Sequence, residues 1–173
     1  MSHETKKKIG ITTCQTAFGW IGIAWSAAGL VEVTLPQPSE SEALHRLPAG
    51  NEPAPEPPPG LDVAALAGKL RRYFDGEPVS FDEPLDPSIG TGFQRQVWAI
   101  TRAIPRGQTL AYGEIARRAG TNAPRAVGQA MAHNPWPPIV PCHRVVGSDG
   151  QLTGFGGGLD MKRKMLDMEK AVC

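Results

Sequence analysis

Two stretches dense in proline and glycine, residues 36–60 and 78–92, limit what this 173-residue chain can form. Proline fixes φ and lacks an N–H, so neither a helix interior nor a central strand accommodates a run such as Pro57-Pro58-Pro59-Gly60. Regular structure is left to blocks at residues 9–35, 61–74 and 91–170. The first stretch reads as a surface loop or linker rather than a packed element. The second, with Pro78, Pro84, Pro87, Gly90 and Gly92, reads as the boundary between two domains, residues 1–85 and 86–173.

In the first block, Gly19 to Trp25 and Leu30 to Leu35 are β-rich with partial alternation, and Ala27-Ala28-Gly29 between them suits a hairpin. A helix is expected from Leu61 to Tyr73, with Asp62 as N-cap and an apolar face of Val63, Leu66, Leu70 and Phe74. This half is therefore α/β. No chemical pattern surrounds its aromatics, and Trp20, Trp25, Tyr73 and Phe74 read as core.

The second half is mainly helical. Thr91 and Gln94 make a capping-box pattern for a helix with Phe93, Val97, Ile100 and Ile104 on its apolar face, ended by Pro105-Arg106-Gly107. Two short helices follow. Tyr112 to Ala119 turns Ile115, Ala116 and Ala119 inward, and Gly120 serves as the turn. Asn122 as N-cap and Pro124 in the first turn then open a helix to about His133, burying Ala126, Val127, Ala130 and Met131. The pair suits a helix-turn-helix, although many helical hairpins bind nothing. A last helix, from about Asp160 to Lys170, faces Met161, Met165, Leu166 and Met168 inward.

Charge is split along the chain. Residues 1–90 carry seven Lys/Arg against twelve Asp/Glu, and residues 91–173 carry eleven against five. A basic half beside an acidic one fits a nucleic-acid-binding domain, and equally fits basic residues that only solvate helix surfaces. Apolar residues make up 40% and charged residues 20%, as in ordinary globular proteins. No apolar run approaches the roughly 20 residues of a membrane span. The charged N-terminus has no clean apolar segment behind it, so a soluble, cytoplasmic protein with no membrane association is expected. The cysteines are Cys14, Cys142 and Cys173, too few and too scattered for a disulfide framework or a metal site.

Cys142 lies in the run Pro141-Cys142-His143-Arg144. Thiols react as thiolates, which cationic neighbours favour and which a histidine base can generate. A lone cysteine is usually a buried small hydrophobe, and adjacent residues of an extended segment point to opposite faces. Composition and adjacency leave both readings open.

The wider pattern is more specific. Asn134-Pro135-Trp136-Pro137-Pro138-Ile139-Val140-Pro141-Cys142-His143-Arg144-Val145-Val146 closely resembles the signature of the O6-alkylguanine-DNA alkyltransferases. The resemblance extends to Phe93–Trp98, Ile104-Pro105, Tyr112–Ala116, Arg125–Gly128, Gly154–Leu159 and Lys162 to Glu169, covering roughly residues 91–170. It implies a ribonuclease-H-like α/β N-terminal domain and a winged-helix-like C-terminal domain with a helix-turn-helix. It also implies a monomer that binds double-stranded DNA carrying O6-alkylguanine from the minor groove and flips the damaged base out. The alkyl group then passes irreversibly to Cys142, in a single turnover without a cofactor or metal.

Residue by residue, the resemblance makes Cys142 the acceptor, His143 its base through a water, and Glu169 the group that orients His143. Tyr112 would hydrogen-bond the flipped guanine, and Arg125 would fill the vacated stack. Ala126, Gly128, Thr91 and Gln94 would join Arg125 against DNA. Asn134 and Met131 would support the site, with Val145, Phe155, Gly156 and Lys162 around the guanine pocket. Phe155 stands where many relatives have tyrosine and Gly156 where some have serine. The zinc ligands of some relatives have no counterpart, and Cys173 reads as a bystander. Three rivals are weaker. A lesion binder of this family would lack the acceptor cysteine, a cysteine hydrolase would leave the helix-turn-helix idle, and a regulator would need a further domain.

Overall fold

The computed structural model describes residues 6–171, so Cys173 lies outside the described residues. The chain is mixed α/β and divides into two compact units. Unit 1 holds residues up to Arg71 together with Phe81–Ser88, and unit 2 holds Arg72–Ser80 and Ile89 onward.

Unit 1 is built on an antiparallel sheet of β1 (Gly10–Thr16), β2 (Gly19–Ser26) and β3 (Gly29–Val33), in that order. The hairpin expected at Ala27-Ala28-Gly29 joins β2 to β3, and the register shifts between Ala24 and Trp25. Ile21, Ile23, Leu30 and Val33 are buried. Trp20 and Trp25 are only half-buried, and the Trp25 indole donates to the Pro55 carbonyl at 2.9 Å.

The stretch at 36–60 is not all loop. Helix α1 (Glu40–His45) lies within it, with Ala43 fully buried. Ser39 caps it by accepting from the Glu42 N–H at 3.2 Å, and the Ser39 hydroxyl also reaches the Glu42 carboxylate. The prolines flank this turn and do not interrupt it, which is why their density misled. Leu47, just past the helix, packs with Ile9 and Ala24. Gly22 of β2 makes the close approach possible: a Cβ there would lie 2.8 Å from a Leu47 methyl and 3.0 Å from the Ala43 carbonyl.

Helix α2 (Val63–Phe74) begins where expected, with the Asp62 carboxylate accepting from the Ala65 N–H at 3.0 Å. Its last turn, from Arg72, belongs to unit 2.

In unit 2, α3 (Gly92–Arg102) opens on the full capping box, Thr91 and Gln94 each satisfying the other's backbone. Its inner face is Val97, Trp98 and Thr101, while Phe93 and Ile100 stay partly exposed. Trp98 takes the inward position because its indole N–H finds the Ala130 carbonyl at 2.8 Å and its ring meets Trp136 edge-on at 5.3 Å.

A two-residue strand, β4 (Leu110–Ala111), leads into α4 (Tyr112–Arg118). Gly120, at φ +77°, reverses the chain toward α5 (Pro124–Ala132). Asn122 is not the N-cap of α5. Ala123 occupies that place without a side-chain cap, and the Thr121 hydroxyl accepts from its N–H. A short 3-10 turn (Cys142–Arg144) and β5 (Val145–Val146) follow, with β5 parallel to β4. Helix α6 (Leu159–Ala171) closes the chain. Among the described residues no helix is long and apolar enough to cross a membrane.

Candidate functional site

In an extended segment Cys142 and His143 would point to opposite faces. Cys142 sits instead at the start of the 3-10 turn, after the Cys142 N–H bonds the Val140 carbonyl at 2.8 Å. The tight turn leaves Cys142 half-buried and tucks His143 wholly inside. Asn134 ties this segment to the end of α5. Its amide donates to the Val140 carbonyl at 2.8 Å, and its oxygen accepts from the Trp136 N–H.

Behind the thiol is a buried polar cluster. His143 Nε2 lies 2.6 Å from Glu169 Oε1. Arg144 reaches the same carboxylate through Nη2 at 2.8 Å and Nε at 3.0 Å, and its Nη1 donates to the Ile104 carbonyl at 2.7 Å. Thus Arg144 is committed to Glu169 rather than to the thiol. Burial would push Glu169 up, but His143 and Arg144 outweigh it and hold the carboxyl well below the usual carboxylate range. Burial pushes His143 below its ordinary value, against the raising effect of Glu169. A neutral imidazole beside an ionised carboxylate keeps its proton on Nε2. Nδ1 is then a bare acceptor, buried and without a hydrogen-bond partner among the described residues.

Helix α6 supplies this cluster because Lys162, Met165, Leu166 and Glu169 share one face at helical spacing. The methionine pattern predicted the inward face, although Met161 and Met168 are only half-buried and Lys162 and Glu169 lie fully inside. Lys162 Nζ donates to the carbonyls of Val145 at 2.6 Å and Thr153 at 2.7 Å. It also stands 5.9 Å from the Tyr112 ring centroid. Burial raises the Cys142 thiol, while the Asn134 hydrogen bond and the Lys162 charge draw it down. Burial raises Tyr112, with the Thr153 side chain acting to lower it and the charge of Cys142 to raise it further.

The structure therefore brings together Cys142, His143, Glu169, Tyr112, Asn134, Val145 and Lys162. Met131 is buried under α3, accepting weakly from the Thr101 hydroxyl at 3.7 Å. Phe155 and Gly156 sit in the loop ahead of α6, outside this bonded cluster. Thr91, Gln94, Arg125 and Ala126 converge on a separate open cleft that Phe93 and Gln129 also line. Gly128 is not on that cleft.

Two groups escaped the sequence reading. Thr153 had no motif around it. Tyr73, taken for plain core, is 1% exposed, yet its hydroxyl donates to Glu169 Oε1 at 2.7 Å and lies 3.2 Å from His143 Nε2. Nothing local marks it, since its partners are 70 and 96 positions away. Among the described residues no group of three or more His, Cys, Asp or Glu could hold a metal ion.

Fold and site together define a mixed α/β protein whose half-buried cysteine is backed by a histidine–carboxylate pair. The family model for the 6-O-methylguanine DNA methyltransferase DNA-binding domain matches residues 92–171. A methylated-DNA–protein-cysteine methyltransferase of Mycobacterium tuberculosis is 50% identical over 116 residues, 66% of this chain and 69% of that protein. The crystal structure of the M. tuberculosis O6-methylguanine methyltransferase superposes with a TM-score of 0.74 at 39% identity, covering 95% of this chain and 94% of that one. A structure of the M. tuberculosis protein in complex with DNA matches with a TM-score of 0.73 at 37% identity, over 93% of this chain and 92% of that one. The chain belongs to the methylated-DNA–protein-cysteine methyltransferase family.

Proposed function

We infer that this protein repairs DNA by moving the alkyl group of O6-alkylguanine onto its own Cys142, once per molecule. The observation that carries the reading is the bare, buried Nδ1 of His143 next in sequence to the acceptor thiol, with Nε2 locked on Glu169. His143 takes the thiol proton through a water. The sulfur attacks the alkyl carbon, the S–C bond forms, and the C–O6 bond breaks with its electron pair going to the purine. Tyr112 donates toward the purine, where that charge develops. The thioether is stable, so no group is needed to regenerate the thiol.

The damaged base must leave the stack to reach a half-buried sulfur. Arg125 is exposed at the start of α5, where it would fill the gap. Thr91, Gln94 and Ala126, which share its cleft, would join it against the DNA, as would Gly128 from outside that cleft. We read the approach as minor-groove, the α4–α5 pair as a helix-turn-helix, and the protein as a monomer in the cytoplasm, where a free thiol persists. Three antiparallel strands and a following helix support a ribonuclease-H-like residues 1–85. Helices α3–α5 with the β4–β5 pair support a winged-helix-like residues 86–173, to which the Tyr73 turn adds a side chain. Val145, Phe155 and Gly156 would border the guanine, with Met131 and Asn134 as support.

Incubation with duplex DNA containing O6-methylguanine should add one methyl mass to the Cys142 peptide, stoichiometrically and without turnover. A folded protein whose Cys142 peptide stays unmodified would refute the reading.

A further inference from the structure

We propose that Tyr73 is a positioning residue for alkyl transfer, its hydroxyl holding the Glu169 carboxylate on His143 against the competing pull of Arg144. The inference rests on the transferase reading above and adds a fourth side chain to its relay.

The geometry is a contest for one carboxylate. Arg144 offers two donors, Nη2 to Oε1 at 2.8 Å and Nε to Oε2 at 3.0 Å, a fork that by itself would draw both oxygens toward the guanidinium. His143 offers only Nε2, to Oε1 at 2.6 Å. Tyr73 donates to that same Oε1 from the histidine side at 2.7 Å. With its proton spent on Glu169, the phenol oxygen 3.2 Å from Nε2 is a second acceptor for the imidazole proton. Both contacts favour the Nε2–H tautomer, and that tautomer leaves Nδ1 free to act as base. Without the hydroxyl the carboxylate would swing onto Arg144, the imidazole would lose its anchor, and both tautomers would be populated.

The turn that carries Tyr73 is itself fixed within unit 2. Arg106 donates to the carbonyls of Gly76 at 3.0 Å and Glu77 at 3.2 Å, and its guanidinium stands 5.8 Å from the Tyr73 ring centroid. The ring also packs edge-on against Phe74, with centroids 4.9 Å apart. A residue serving only as core would need the ring and not the hydroxyl.

Tyr73→Phe keeps the ring and removes the hydroxyl. Three readouts separate the roles: the single-turnover methyl-transfer rate constant at saturating duplex, duplex affinity in a Cys142→Ala background, and the ring-nitrogen chemical shifts of His143. The rate constant should fall about tenfold, the effect of one charge-assisted hydrogen bond. Affinity should not change, and the His143 signals should move from one Nε2–H tautomer to a mixture. An unchanged rate constant with unchanged ring signals would overturn the proposal. So would an equal loss of rate in Phe74→Leu, because packing alone would then explain it. If wild-type protein transfers no methyl group, the transferase reading fails instead. Should Tyr73→Phe not fold, the unaltered protein still decides: a slowly exchanging His143 Nε2 proton in contact with the Tyr73 hydroxyl supports the role, and an Nδ1–H tautomer defeats it.

Discussion

Glu169 is where sequence-distant residues meet, and its carboxylate serves His143, Arg144 and Tyr73 at once. Replacing it should therefore hurt stability and chemistry together. Glu169→Gln leaves Arg144 without its counter-charge, which costs about 3–5 kcal/mol when one partner of a buried pair is removed. Urea unfolding should show that loss, and the transfer rate of the folded fraction should drop as well. The pH dependence follows from His143, which burial holds below its ordinary value. The base must be neutral, so the rate should be flat near neutrality and fall only as pH drops below about 6.5. The stability contribution has the same sign. The folded state disfavours the imidazolium, so stability declines as pH falls from the unfolded pKa through the lowered folded one. A rate plateau that ends above pH 7 in a stopped-time assay would contradict His143 as the base.

At the scale of elements, close approach and capping place the helices. The Gly22 backbone admits α1 because no side chain intervenes. Gly22→Ala would put a methyl group 3.0 Å from the Ala43 carbonyl, which cannot give way as a side-chain end can. A loss of about 1–3 kcal/mol is expected from such overpacking, read as a lower thermal midpoint. Thr91→Ala removes half of the capping box that starts α3 and should cost about 1 kcal/mol. Thr91 also lines the cleft with Arg125, so duplex affinity of that variant should be measured beside its stability. Helix α6 shows how a helix can be amphipathic in an unusual sense. Its inner face carries a lysine and a glutamate as well as Met165 and Leu166, each polar group hydrogen-bonded inside.

For the whole molecule, charge has two separate consequences. Residues 91–173 carry the excess of Lys and Arg, so the Cys142→Ala protein should bind duplex DNA with affinity that falls steeply as salt rises. Binding insensitive to salt in a fluorescence titration would argue against phosphate contacts. In unit 1, burial would raise Asp86, but hydrogen bonds from Lys7, Ser26 and Ser88 bring it down to about 2. A depressed carboxylate stabilises the fold above its unfolded pKa and loses that contribution as pH falls through the folded one. Stability should therefore decline between about pH 4 and pH 2, and Asp86→Asn should flatten that slope in acid-titrated urea melts.

What the sequence determined by itself was local or motif-borne. The Thr91–Gln94 cap, the β2–β3 hairpin, the start of α2 at Asp62 and the Cys142–His143 neighbours depend on residues a few positions apart. The family pattern added Glu169, Tyr112 and Lys162 at their spacing. The Ser39–Glu42 cap of α1 is equally local, hidden only by the prolines around it. Only the tertiary structure decided that Cys142 opens a 3-10 turn and that Arg144 faces Glu169 rather than the thiol. Above all it decided Tyr73. On its own helix that residue is one more apolar-face aromatic, indistinguishable by periodicity from Phe74. Its hydroxyl acquires a task only when folding brings it to a carboxylate 96 positions away, because a hydrogen bond depends on distance in space and leaves no period in the chain.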